Sequence, residues 1–188
     1  MEHFRTDRLI ARDWRTADAE AAFAIYGRQE VMRWLGPQPR VVVPSLEQMR
    51  VRLDAMAERA AVEPDYGLWP IELVVSGELI GAVLLQPLPD SEQVEIGWHL
   101  NPDFWGRGYA TEAARGAAEL AFGPRGLKRV VAVVDPDNVR SLAVCRRLGM
   151  VHLGQTAEFF GLMMELFELA SASADTPAGD SPASSPAR

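Results

Sequence analysis

The 188-residue sequence predicts a single α/β domain with an antiparallel start, a strand–helix–strand–helix middle and a short strand finish. Three observations carry this. The N-terminal half pairs alternating segments through tight turns, the mark of antiparallel strands. The middle runs strand, glycine-rich turn, helix, strand, helix. The chain then ends its patterned part in two short strands.

The elements follow in order. Arg8-Leu9-Ile10-Ala11-Arg12 alternates charged and apolar residues, as a half-buried strand does. Thr16 or Asp18 caps a helix through Ala19–Tyr26. A short helical segment, Glu30–Leu35, stops at Gly36-Pro37, and Pro39 and Pro44 mark an irregular connection. Ser45 opens an amphipathic helix to about Ala61, with Leu46, Met49, Leu53 and Met56 spaced for burial. Tyr66–Val75 and Glu78–Gln86 read as a hairpin turning at Ser76-Gly77.

A strand over 93–100 precedes a helix that runs to about Phe122. The alanines at 110, 113, 114, 117, 118 and 121 give that helix a small-residue face able to lie close to a sheet. Arg129–Val134 is a buried strand, and Asn138–Leu148 a helix closed by Gly149. Val151–Thr156 and Met163–Leu169 are the last strands. The folded domain therefore spans 1–169. From 170 to 188 the chain is mostly Ala, Ser, Pro, Asp, Thr and Gly, and is expected to be a disordered tail.

Net charge of −7 and a pI near 5.0 argue against a nucleic-acid-binding surface. A lone cysteine excludes an internal disulfide and suits a reducing compartment. The N-terminus lacks the apolar core of a signal peptide, and no apolar run approaches membrane-spanning length. The expectation is a soluble cytoplasmic protein with no nucleic-acid or membrane partner.

The segment richest in chemistry is Trp105-Gly106-Arg107-Gly108-Tyr109-Ala110-Thr111. A strand, a glycine-rich turn and a helix start together make a phosphate cradle, because the first helical N–H groups have no partner inside the helix. Two nucleotide readings fail on particular residues. A Walker loop needs Lys followed by Ser or Thr after the second glycine, where Tyr109-Ala110 stands. A dinucleotide fingerprint needs a third glycine, where Thr111 stands.

These residues resemble the GNAT superfamily of N-acetyltransferases. Trp105 to Ala110 is similar to its pyrophosphate-binding loop, and Glu95-Ile96-Gly97-Trp98-His99-Leu100 to the strand ahead of it. Val133 to Ser141 with Leu148-Gly149-Met150 resembles the later strand–helix motif. Thr6 to Arg12, with Val31 to Gly36, resembles the branch that acetylates ribosomal-protein N-termini at alanine or serine. The likeness covers about residues 5 to 169.

The resemblance implies a GNAT fold, a mixed, mostly antiparallel sheet of about six to seven strands flanked by helices, whose fourth and fifth strands splay apart, with acetyl-CoA as co-substrate in the gap. Backbone groups around Trp98, His99 and Leu100 would pair with the pantetheine arm. Amides of Gly106, Arg107, Gly108, Tyr109, Ala110 and Thr111 would hold the pyrophosphate. Asn138 and Ser141 would face the pantetheine and thiol end. No metal is implied, and a homodimer is compatible with the branch.

Acetyl transfer from a thioester to an amine needs a neutral amine, donors for the developing oxyanion and a stabilised leaving thiolate. Glu95 is the candidate base, directly or through water; otherwise it is a solvated strand residue or a partner of Arg129. Ser141 is the candidate thiol-side donor. Asn138 fits ligand contact or a plain helix N-cap. Cys145 stands where many relatives place an acidic tyrosine, and reads as packing. The branch often carries two tyrosines where this chain has Phe159-Phe160, so Trp34, Phe159 and Phe160 would line a less polar acceptor pocket. Among the arginines, Arg107 is best placed for CoA phosphates, ahead of Arg146 and Arg147. His99 and His152 read as packing or surface residues.

The sequence therefore points to an acetyl-CoA-dependent N-acetyltransferase acting on a primary amine, either a protein N-terminus or a small molecule. The alternative is a non-catalytic acyl-CoA-binding sensor or regulatory module.

Overall fold

The computed structural model describes residues 1–172. Eight strands form one sheet in the order β1-β2-β3-β4-β5-β6-β8-β7. They are β1 (Glu2–Arg5), β2 (Leu9–Arg12), β3 (Gly67–Leu73), β4 (Leu79–Pro87), β5 (Val94–Leu100), β6 (Arg129–Val134), β7 (Val151–Thr156) and β8 (Met164–Ala170). Five helices complete the fold: α1 (Ala19–Tyr26), α2 (Gln29–Met32), α3 (Leu46–Val62), α4 (Tyr109–Phe122) and α5 (Val139–Leu148). Every neighbouring pair is antiparallel except β5 and β6, which run parallel.

β1 is a strand that the alternation pattern did not reveal. Its four residues pair with β2, and Phe4 packs under α4. There a Cβ on Gly116 would overlap the Phe4 ring. Glycine is thus the residue that lets helix and strand meet, and the small face of α4 extends the alanine stripe by that position. This extra strand raises the count to eight. The splayed pair is accordingly the fifth and sixth strands of this chain, rather than the fourth and fifth.

Local chemistry explains the other boundaries. Ser45 caps α3, its hydroxyl accepting from the Gln48 N–H at 3.2 Å. α2 is a single turn, shorter than the Glu30–Leu35 segment expected. Thr16–Asp18 forms a separate 3-10 turn ahead of α1. Asp18 turns back to the buried Arg12, which it meets with two hydrogen bonds of 2.8 and 2.9 Å. β8 continues one residue beyond the expected end of the domain, since Ala170 still pairs with Arg129. The tail expected from residue 170 lies, beyond residue 172, outside the described residues.

Two cores flank the sheet. α4 and α5 cover one face, with Ala113, Ala117 and Ala121 packed over Ile96, Val130 and Ala132. On the other side, α1, α2 and α3 enclose Ile25, Met49 and Leu53. Among the described residues no helix is long and apolar enough to cross a membrane.

Candidate functional site

β5 pairs with β4 along its whole length, from Val94 with Pro87 to Leu100 with Gly81. On its other side it meets β6 at one residue pair, Glu95 with Val131. Beyond that point the two strands separate. A cleft of about 650 Å³ opens between them. It lies at the carboxyl ends of two adjacent parallel strands, where α/β sheets place ligands. The N-terminus of α4 follows β5, and that of α5 follows β6.

The glycine turn forms one end of this cleft. Gly106 and Gly108 have φ of +77° and +83°, conformations that side chains rarely adopt. Gly108 is the N-cap of α4, and no side chain caps the helix there. The first-turn amides of α4 are therefore left for a ligand. Gly106, Gly108, Tyr109, Ala110 and Thr111 all line the cleft. The turn is braced from behind by Arg8, which donates to the Arg107 carbonyl at 3.1 Å and to Glu112 at 2.6 Å. These features fit an anionic ligand held by backbone.

Trp98, His99 and Leu100 also line the cleft, as do Asn138 and Ser141. The Leu100 carbonyl accepts the Trp105 indole N–H at 3.0 Å, which ties the turn to the strand. Asn138 is the N-cap of α5, its side-chain oxygen accepting from the Ser141 N–H at 3.2 Å. The Trp98 indole donates to the Ser141 hydroxyl at 3.3 Å, leaving that hydroxyl's own proton to point elsewhere.

Glu95 is 9% exposed and forms part of the cleft wall. Burial pushes its carboxyl up from the ordinary 4.5 to about 7, and a hydrogen bond from the Val133 backbone N–H offsets part of that rise. It is neither solvated nor paired with Arg129, which instead meets Glu168 at 3.3 Å. His99 lies four residues on, on the same side of the strand. Burial lowers its imidazole to about 4, so it is neutral at physiological pH. Its Nδ1 is 3.2 Å from the Tyr26 hydroxyl.

Three candidate residues, Arg107 by its side chain, Phe159 and Arg146, lie outside the cleft lining, while Cys145 packs as expected. The Arg107 side chain folds back over the Phe104 ring and donates to the Asp103 carbonyl at 3.2 Å, so its guanidinium does not line the cleft. Phe159 is fully buried against Leu88 and Val131, a core residue rather than part of the acceptor wall. Its neighbour Phe160, at φ +60°, is the one that reaches the cleft, together with Trp34. Cys145 is buried, its thiol pushed up to about 12, and packs in the core. Arg147 lines the cleft, and Arg146 does not.

Sequence reasoning missed Arg40, Asp135 and Arg140. Arg140 lies over the Trp105 ring at 4.6 Å. Arg40 reaches Asp135 at 2.6 Å across 95 residues of sequence, a contact no local pattern reports.

A family model described as an acetyltransferase (GNAT) domain matches residues 8–151. The uncharacterized N-acetyltransferase YoaA of Bacillus subtilis is 32% identical over 82% of this chain and 85% of its own. An acetyltransferase structure from Agrobacterium tumefaciens superposes with a TM-score of 0.72 at 25% identity, covering 89% of this chain and 94% of that one. RimJ of Mycobacterium smegmatis, solved with a CoA disulfide, shares the fold. Its TM-score is 0.74 at 20% identity, over 89% of this chain and 84% of its own.

Proposed function

The chain belongs to the GNAT acetyltransferase family, and we propose that it moves the acetyl group of acetyl-CoA to a primary amine by direct attack in a ternary complex, with Glu95 as base. The observation that carries this reading is Glu95 itself, a buried carboxyl near pH 7 in the wall of the cleft. An acid tuned to that range can take a proton from an ammonium, or from a bridging water, and is half ionised at neutral pH.

The geometry supports the other parts of the proposal. Amides of Gly106 through Thr111 hold the pyrophosphate at the α4 N-terminus. The unpaired edge of β5 beyond Glu95 offers backbone groups to the pantetheine arm and N–H donors to the developing oxyanion. Acetyl-CoA supplies the activated thioester. The Ser141 hydroxyl, already accepting from Trp98, is free to donate toward the leaving sulfur. Trp34 and Phe160 give the acceptor side an apolar wall. The acceptor is a small-molecule amine or a protein N-terminus.

Glu95→Gln tests the assignment. The variant is expected to keep acetyl-CoA affinity and to lose kcat by 100-fold or more, on the order of what a positioned general base contributes. Unchanged kcat would remove Glu95 from the chemistry.

A further inference from the structure

Arg40 is a buried cation in the cleft wall with an unfinished set of hydrogen bonds. Its side chain is 6% exposed. It lies in the connection between α2 and α3 and lines the same cleft as Glu95 and Phe160. Nη1 donates to Asp135 at 2.6 Å and to the Arg33 carbonyl at 2.9 Å. Nε donates to the Gly36 carbonyl at 3.1 Å. The remaining nitrogen, Nη2, has the Met164 sulfur at 4.0 Å as its hydrogen-bond partner among the described residues. A thioether is a weak acceptor for a guanidinium. Buried donors are ordinarily satisfied, so this one is expected to meet an oxygen when the site is filled.

The position says which ligand brings that oxygen. Val131 and Val133 lie on the sheet face that Phe159 and Phe160 cover, away from the α4 core, and Asp135 follows the end of β6. Glu95 meets the Val133 N–H on this side, and Arg40 meets Asp135. The phosphate turn stands at the opposite end, at the start of α4. Arg40 is therefore grouped with the proposed base and the apolar acceptor wall.

We propose that Arg40 is an acceptor-recognition residue whose Nη2 donates to a carbonyl or carboxylate oxygen on the carbon next to the reacting amine. The acceptor class is then an α-amino carbonyl compound, found at a peptide N-terminus or in an amino acid. A polyamine offers no such oxygen and brings a further positive charge toward Arg40. This proposal rests on the acetyltransferase reading of the cleft.

The test compares L-alaninamide, L-alanine and sec-butylamine as acceptors for the wild type, Arg40→Lys and Glu95→Gln. Lysine keeps the charge beside Asp135 and removes the fork. Taking the variant-to-wild-type ratio within each acceptor cancels differences in amine basicity. The expected result is a KM for alaninamide, alanine or both that rises roughly tenfold to a hundredfold in Arg40→Lys, the size of one hydrogen bond to a charged group. The KM for acetyl-CoA and the ratio for sec-butylamine should stay unchanged.

A response of alaninamide alone assigns the peptide carbonyl, and of alanine alone the free carboxylate. Equal effects on all three acceptors would reduce Arg40 to a loop brace and overturn the proposal. Thermal unfolding of the wild type with CoA plus each acceptor repeats the comparison without turnover and without a variant. Protection by sec-butylamine equal to that by alaninamide and alanine would overturn it as well. Glu95→Gln separates the two readings, since a failed base assignment leaves its turnover intact whatever Arg40 does.

Discussion

Glu95 ties stability and activity to pH with opposite signs. Its carboxyl ionises near 4.5 in an unfolded chain and near 7 in the fold. A carboxyl raised by folding favours the folded state while protonated, so the native structure loses stability as pH rises from 4.5 to 7. Each pH unit of difference is worth about 1.4 kcal/mol, so the full loss is about 3 kcal/mol, of which about 2 kcal/mol accrues between pH 5.5 and 8.5. Glu95→Gln removes the titration and keeps the volume. Its amide adds a buried donor, but that penalty is the same at every pH. The informative quantity is thus the change in the Tm difference between variant and wild type on moving from pH 5.5 to 8.5. For a domain of this size it should shift by roughly 4–8 °C in favour of the variant. Activity runs the other way, since kcat/KM of the wild type should climb to a plateau above pH about 7 as the base ionises. A variant-minus-wild-type Tm difference that does not change with pH would refute the desolvation argument and, with it, the tuned base.

Other consequences follow from the same geometry. Gly108→Val forces a β-branched residue to φ +83° at the mouth of the cradle. Wild-type protein at 100 times the Kd of acetyl-CoA should gain roughly 2.7 kcal/mol against thermal unfolding, and the variant should show little of that protection. Arg12 is buried between Asp18 and Glu72, at 2.8 and 2.7 Å. Arg12→Met strands two carboxylates and should destabilise the fold by about 3–5 kcal/mol in urea unfolding at pH 7.5. The two phenylalanines should separate cleanly. Phe159→Ala should lower stability by about 3–5 kcal/mol. Phe160→Ala, at the cleft, should raise the acceptor KM with a smaller change in Tm.

Much of this protein was legible without coordinates. Glycines at 106 and 108, an alanine stripe after them, Asn138 ahead of an apolar helix and Gly149 after it each act on their own neighbourhood. Backbone conformation and capping are decided within a few residues, so the cradle, α4 and α5 emerge where the local chemistry places them. The family likeness rested on these same segments.

What only the tertiary structure decided depends on contacts between distant parts of the chain. β1 is four residues long and holds its place through β2 and through Phe4 under Gly116, which no periodicity within the strand can signal. The split between Phe159 and Phe160 turns on one residue at positive φ. Glu95 becomes a tuned acid because the assembled sheet buries its carboxyl in the cleft wall beside β6, and Arg40 enters the site by meeting Asp135. Sequence by itself determined which residue types stand ready for acetyl transfer. Burial and long-range pairing, which are properties of the assembled sheet, determined which of them face the cleft and in what charge state.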